Sequence, residues 1–222
     1  MNKLSLWELD WNEIGQAALD TLTMLGTSTL FTVLIGLPLG VLLFLTSTGQ
    51  LLQQKAVYGT LSFIVNVLRS VPFIILMIII IPFTKLLVGT SIGVPGSIPP
   101  LVIGAAPFFA RLVETSMREV DRGVIEAAQS MGATHVQIIG RVLLREARPG
   151  LIAAITITAV TLVSYTAMSG VIGGGGLGDL AIRYGYQRFQ TNVMIVTVLI
   201  LLVLVQLLQM LGDRLVRRFQ RK

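Results

Sequence analysis

The sequence predicts an all-α integral membrane protein with five transmembrane helices, because of its composition, its long apolar segments and its placement of positive charge. Of the 222 residues, 54% are hydrophobic and only 13% are charged, whereas soluble domains carry about 25% charged residues. The length suits one domain, but a single soluble core would not bury so much apolar surface. Lipid is therefore the expected solvent for much of the chain.

Five segments reach the length of about 20 mostly apolar residues that a transmembrane helix needs. They lie near residues 22–45, 58–83, 98–117, 149–172 and 192–211. The first contains Gly36 and Gly40, a spacing that allows close helix packing in lipid, with a gating role as the alternative. We expect these spans and their connections to form one transmembrane domain over residues 1–222.

Positive charge orients the spans, because cytoplasmic flanks of membrane helices are enriched in lysine and arginine. Five arginines lie within residues 118–148, five basic residues follow the last span, and Lys55 lies in the first connection. The opposite side holds only Lys3, Lys85, Arg183 and Arg188. The bias predicts an external N-terminus and a cytoplasmic C-terminus. The basic tail directly follows an apolar run, so we interpret it as a membrane flank and expect no nucleic-acid partner.

The composition also excludes several kinds of site. The chain has no cysteine and one histidine, which rules out disulfide scaffolds, thiolate metal sites and cysteine nucleophiles. His135 is interpreted as a surface residue, and we expect no metal site, no cofactor and no catalytic residue. A membrane enzyme would have to rely on carboxylates, and none of these forms a suggestive pair in the sequence.

The segment 118–148 is too long for a simple turn and predicts two short helices on the cytoplasmic side. Asp121 is a candidate N-cap for the first helix, and Gly132 suits the left-handed residue after its end. Thr134 and Gln137 have the spacing of a capping box for the second helix. Apolar residues at helical spacing give each helix one apolar face: Val124, Ile125, Ala128 and Met131 on the first, and Val136, Ile139 and Leu143 on the second. Such a structured hairpin is suited to docking a cytoplasmic partner.

Two glycine-rich segments are expected on the external side. Residues 91–100 combine Gly93 and Gly96 with three prolines and predict a loop before the third span. Residues 173–191 begin with four consecutive glycines and predict an external or re-entrant connection. Its backbone must then be bonded to protein or face water. Asp179 and Arg183 have the i, i+4 spacing of an ion pair on a short helix.

Polar residues within the spans are the candidates for a transport path. Arg69 lies near the middle of the second span, where an arginine usually faces a cavity or a partner. It is expected to meet either a substrate carboxylate or a structural partner. The fourth span carries a polar stripe at helical spacing, which consists of Thr158, Thr161, Tyr165, Met168 and Ser169. Tyr165 and Met168 are the best candidates for path or gate residues, with interhelical packing as the alternative.

The inner segment also resembles a known motif. Glu126, Ala127 and Ala128, followed by Gly132 and then by Val142-Leu143-Leu144, are similar to the EAA loop of ABC importer permeases. Arg145 stands where that family usually has a proline. The run Arg69-Ser70-Val71-Pro72-Phe73 resembles a motif of amino-acid importer permeases. The runs Ser164–Met168 and Gly173–Ala181 are similar to the methionine permease subfamily.

This resemblance covers nearly the whole chain and implies the function of a type I ABC importer permease in the bacterial inner membrane. Such a subunit forms a homodimer, binds two cytoplasmic ATP-binding subunits through the EAA loop, and receives its ligand from an external substrate-binding lipoprotein. Methionine, as either enantiomer, is the substrate implied, and another amino acid or an osmolyte is the alternative. The chain has no GxxxxGK[ST] loop, so ATP hydrolysis is expected on a partner. A passive channel is a further alternative, and tight binding of an ATPase would exclude it.

Overall fold

The computed structural model describes residues 10–220, and within them it contains helices and short connections but no strand. The predicted all-α fold class is thereby confirmed. Lys3, Arg221 and Lys222, which contribute to the predicted charge bias, lie outside the described residues.

Four helices are long and apolar enough to cross a membrane. They are α1 (Trp11–Thr46), α5 (Gly93–Arg118), α9 (Arg148–Ser169, extended by a 3₁₀ turn to Ile172) and α11 (Thr191–Phe219). The shorter helices are α2 (Lys55–Ser70), α3 (Phe73–Ile79), α4 (Ile81–Val88), α6 (Arg122–Ser130), α7 (His135–Gln137), α8 (Leu144–Glu146) and α10 (Gly176–Leu180). The count reaches five when α2 and α3 are taken together as one broken span.

The predicted second span, near residues 58–83, is therefore not one continuous helix. Pro72 is the physical cause, because it has no N–H to donate and disfavours the helical conformation of the residue before it. Its own backbone is extended, with φ −56° and ψ 133°, and α3 begins at the next residue. The sequence pattern identified the apolar length but missed this break.

The predicted loop at residues 91–100 is wrong over most of its length, because α5 already begins at Gly93. Pro95 lies in the first turn of α5, where proline is tolerated because the backbone N–H has no partner within the helix. Two contacts fix this early start. The Gly93 amide donates to the Gly173 carbonyl at 2.8 Å, and the Ser97 hydroxyl lies 3.1 Å from the Gly93 carbonyl oxygen.

Contacts divide the chain into two compact units. The first unit comprises the described part of Met1–Phe31, with Val71–Gly104 and Ala159–Gln209. The second unit comprises Thr32–Ser70, Ala105–Thr158 and the described part of Met210–Lys222. Each unit has its own apolar core.

In the second unit, α1 packs closely on α5. A Cβ added at Gly40 would lie 2.5 Å from the Ala110 carbonyl oxygen, and one at Gly36 would lie 2.9 Å from that of Ala106. No side chain larger than hydrogen fits at these positions without moving α5. The packing interpretation of the two glycines is therefore confirmed.

A buried carboxylate joins α2 to α5 within the second unit. The Glu114 side chain is only 4% exposed and pairs with Arg111 at 2.6 Å and with Arg118 at 2.7 Å. The Tyr58 hydroxyl on α2 donates to the same carboxylate at 3.2 Å. Arg111 in turn donates to the side chain of Asn66, also on α2, at 3.0 Å. The charge of Glu114 is thus compensated on both of its oxygens.

We predict that Glu114→Gln lowers the stability of the protein by about 3 kcal/mol, since removing one member of a buried ion pair leaves the other charges uncompensated. Glu119→Gln is the matched control, because Glu119 is exposed and makes no ion pair with another described residue. The thermal midpoint of the detergent-solubilised protein measures the difference. Equal midpoints for the two variants would contradict a stabilising role of this network.

Candidate functional site

The cytoplasmic loop predicted at residues 118–148 is a helical hairpin that belongs entirely to the second unit. Its first helix, α6, starts where the Asp121 carboxylate accepts a hydrogen bond from the Gly123 amide at 2.7 Å. The predicted N-cap is confirmed. This cap satisfies an amide that the helix itself leaves unpaired, so the start of α6 is fixed only three residues after α5 ends.

Burial divides the predicted apolar stripe of α6 into two parts. Ile125 and Ala128 are buried in the core of the second unit. Val124 is 41% exposed and Met131 is 81% exposed, so neither contributes to that core. They share their helix face with Ala127, which is also exposed.

Gly132 ends α6 in the left-handed conformation that its sequence position predicted, with φ +78°. Its amide donates to the Gln129 carbonyl at 2.9 Å, and the next amide, that of Ala133, donates to the Ala128 carbonyl at 3.1 Å. These bonds close the helix end. A residue with a Cβ adopts this backbone conformation only with strain.

The second helical segment begins at the predicted capping box. The Thr134 amide donates to the Gln137 side chain at 2.9 Å, and the Gln137 amide donates to the Thr134 hydroxyl at 3.4 Å. The segment then continues through a π-helical turn, Ile138–Leu143, into α8. Of the predicted apolar face, Leu143 is buried and Val136 is 79% exposed, and Ile138 is also buried in the core.

Arg145, which replaces the proline usual in the resembling motif, does not interrupt the chain of helices. Only a turn at Ala147 separates α8 from α9. Backbone bonds bridge that turn, since the Ala147 amide donates to the Leu143 carbonyl at 2.9 Å and the Leu151 amide to the Ala147 carbonyl at 2.9 Å. The hairpin is therefore joined directly to a membrane span at this end.

The hairpin thus presents exposed apolar side chains, three of which, Val124, Met131 and Val136, belong to the predicted apolar faces. We call Val124, Ala127, Met131 and Val136 the apolar loop surface. Glu126 is exposed on the same helix, where it lines a cavity of about 290 Å³. A buried anchor with an exposed apolar surface is the arrangement expected of a docking element. Ala127 was indicated by the resemblance to the EAA loop. Val124, Met131 and Val136 carried no separate signal in the sequence, because their spacing is equally that of a core stripe.

The first unit contains the other candidate residues, Tyr165 and Met168, on α9. The Tyr165 ring stacks on the Phe73 ring of α3, with centroids 4.1 Å apart and an angle of 3° between the planes. Met168 follows one turn later and is 45% exposed. Phe73 belongs to the run that follows Arg69, but the sequence gave no sign that it would meet Tyr165.

The predicted polar stripe of α9 does not form a single open face. Thr158 and Ser169 are buried, and each hydroxyl bonds to a carbonyl of its own helix, at 2.8 Å and 2.7 Å. Thr161 is half-buried. The exposed part of the stripe is therefore reduced to Met168, with Tyr165 half-buried beside it.

The glycine run beyond α9 is bonded to protein groups of the first unit. The Gly174 amide donates to the Ser169 carbonyl at 2.9 Å, and the Leu177 amide donates to the Thr21 hydroxyl of α1 at 2.9 Å. Leu177 is 1% exposed and packs in the core with Ile14 and Ala17. The expected ion pair of Asp179 with Arg183 is present at 2.7 Å.

Arg69 lies at the end of α2 in the second unit and is exposed. Its guanidinium carbon lies 5.9 Å from the centroid of the Phe108 ring on α5. It forms no salt bridge with a carboxylate among residues 10–220.

Within the same residues, no group of three histidine, cysteine, aspartate or glutamate side chains is placed to hold a metal ion.

Comparison with known proteins gives consistent matches over most or all of the chain. The family described as the inner membrane component of binding-protein-dependent transport systems matches residues 36–222. The probable D-methionine transport system permease protein of Vibrio cholerae is 51% identical over 218 residues, covering 98% of this chain and 97% of that protein. The methionine import system permease protein of Bacillus subtilis is 48% identical over 205 residues, covering 92% of each. A chain of a methionine ABC transporter solved in inward facing conformations matches at a TM-score of 0.93 and 47% identity, with 100% of both chains covered.

Proposed function

The chain belongs to the family of inner membrane components of binding-protein-dependent transport systems, and from this premise we propose that it is the permease subunit of an ATP-driven methionine importer. The family resemblance found in the sequence is confirmed. Relatives that are about half identical are named as methionine permeases, which supports methionine as the substrate over another amino acid or an osmolyte. By the same proposal, the five spans are α1, the α2–α3 pair, α5, α9 and α11.

The observation that carries the proposal is the hairpin of the second unit. Its buried residues fix it to the ends of two membrane-spanning helices, and its apolar loop surface is exposed to a partner. We assign Glu126, Ala127, Ala128 and Gly132 to ATPase coupling. Ala128 anchors the hairpin, Gly132 shapes its turn, and Glu126 and Ala127 contact the partner. Movement of that partner would then be transmitted into α5 and α9.

The proposed assembly has two copies of this chain, two cytoplasmic ATP-binding subunits and an external substrate-binding lipoprotein. The N-terminus is external and the C-terminus cytoplasmic, as the bias in arginine and lysine supports. This subunit supplies the path and the coupling surface, and ATP hydrolysis takes place on the partner.

The proposed path includes Tyr165, Met168 and Arg69. Met168 is an exposed thioether on a spanning helix, and its soft, flexible side chain is suited to an apolar ligand that itself contains sulfur. The stack on Phe73 holds Tyr165 in one orientation beside it. Arg69 is an exposed cation without a described carboxylate partner, and it is suited to the carboxylate of an amino acid.

We predict that Gly132→Ala reduces methionine uptake per ATP hydrolysed at least about fivefold, because a Cβ in the left-handed conformation costs roughly 1–2 kcal/mol. Gly140→Ala is the matched control. A Cβ at either glycine would have no other atom within 4 Å, but only Gly132 has a positive φ. Uptake and ATP hydrolysis are measured on the reconstituted transporter. Indistinguishable coupling in the two variants would count against a role for this turn.

We predict that Met168→Cys reacts with a small water-soluble thiol reagent and that its reactivity changes when ATP binds. The neighbouring Ser169→Cys is the control and should stay unreactive, since Ser169 is 0% exposed. The chain has no native cysteine, so labelling within the subunit reports one position. A Met168→Cys thiol that remains unlabelled with and without ATP would remove this residue from the path.

A further inference from the structure

The second unit contains a cleft of about 600 Å³ that the transport path and the coupling turn do not use. It lies where the hairpin joins α9 and where α11 ends. Its lining consists of Arg145, Glu146, Arg148, Pro149, Arg218, Phe219 and Gln220. Three arginines against one carboxylate give the cleft a net positive charge.

The arginines of the cleft have no anionic partner in the described part of the chain. None of the salt bridges formed there includes Arg145, Arg148 or Arg218, and all three side chains are exposed. Guanidinium groups are well matched to phosphate, to which they donate paired hydrogen bonds. The cleft therefore has the charge and the donor groups of an anion site.

The apolar side chains of α11 indicate the kind of anion. Leu211, Leu215 and Phe219 follow one another at four-residue intervals and are 54%, 47% and 44% exposed. They form an apolar row that reaches the cleft at Phe219. A phosphate attached to a hydrocarbon chain would place its charged group among the arginines and its hydrocarbon chain along this row. A protein surface or a free anion would not need contact with the row.

We propose that this cleft binds the headgroup phosphate of an anionic phospholipid from the cytoplasmic leaflet. Basic pockets beside transmembrane helices on that side of a membrane are suited to such headgroups. Arg145 from the hairpin and Arg218 from α11 hold the phosphate. The bound lipid thereby links the hairpin to the last span.

The test uses the purified transporter with its copurifying subunits and a fluorescent phosphatidylglycerol as the probe. The double variant R145Q/R218Q should bind the probe about 25-fold more weakly. Each basic residue removed near the membrane surface weakens binding roughly fivefold, and the two factors multiply. The control K85Q/R188Q removes the same charge outside the cleft and should bind normally. R145K/R218K should recover most of the affinity, which separates loss of charge from misfolding.

Four outcomes would overturn the proposal. Equal weakening by K85Q/R188Q would mean that the lipid responds only to net charge. Equal binding of a fluorescent phosphatidylcholine, or full displacement of the probe by millimolar inorganic phosphate, would exclude selection of an anionic lipid. Normal lipid binding by R145Q/R218Q with loss of the copurifying ATPase would assign the cleft to a protein partner instead.

Discussion

A polar group within the hydrocarbon layer has no water to bond, and three features of this chain meet that constraint with partners inside the protein. The glycine run beyond α9 is bonded through the Leu177 amide to the Thr21 hydroxyl, and the start of α5 is bonded to Gly173. Glu114 is bonded to two arginines and a tyrosine. The glycine run, the start of α5 and Glu114 remain compatible with lipid because these polar groups are paired inside the protein.

The same constraint explains how a cytoplasmic movement would reach the spans. The Glu114 network connects α2 to the last turn of α5, and α5 ends at Arg118, a member of that network. The capped start of α6 follows three residues later, and the far end of the hairpin continues almost without a break into α9. Ile125, Ala128, Ile138 and Leu143 are buried in one core. The hairpin is therefore a packed extension of the spans and is not joined to them by a flexible linker. A movement of its exposed surface would therefore move the ends of the spans.

Local signals in the sequence predicted the fold class and the details of the hairpin well. Three of these details depend on contacts between residues close in sequence, so a short sequence pattern predicts them. They are the Asp121 cap, the Gly132 turn and the Thr134 capping box. Burial was less predictable, since Val124 and Ile125 are equally apolar and only the position of the second unit's core decides which is covered. Other features depend on contacts between residues that are distant in sequence, and a single sequence without its relatives does not identify such contacts. They are the stacking of Phe73 on Tyr165, the hydrogen bond from Tyr58 to Glu114, and the early start of α5.

By the proposed function, this chain moves methionine only when a partner hydrolyses ATP. The direct test is uptake of radiolabelled methionine into vesicles that contain the chain with its copurified subunits and the external binding protein. We expect accumulation above the outside concentration with ATP, and none with a non-hydrolysable analogue. Methionine that equilibrates across the vesicle membrane without ATP would show a passive channel. Accumulation of another amino acid but not of methionine would contradict the substrate assignment.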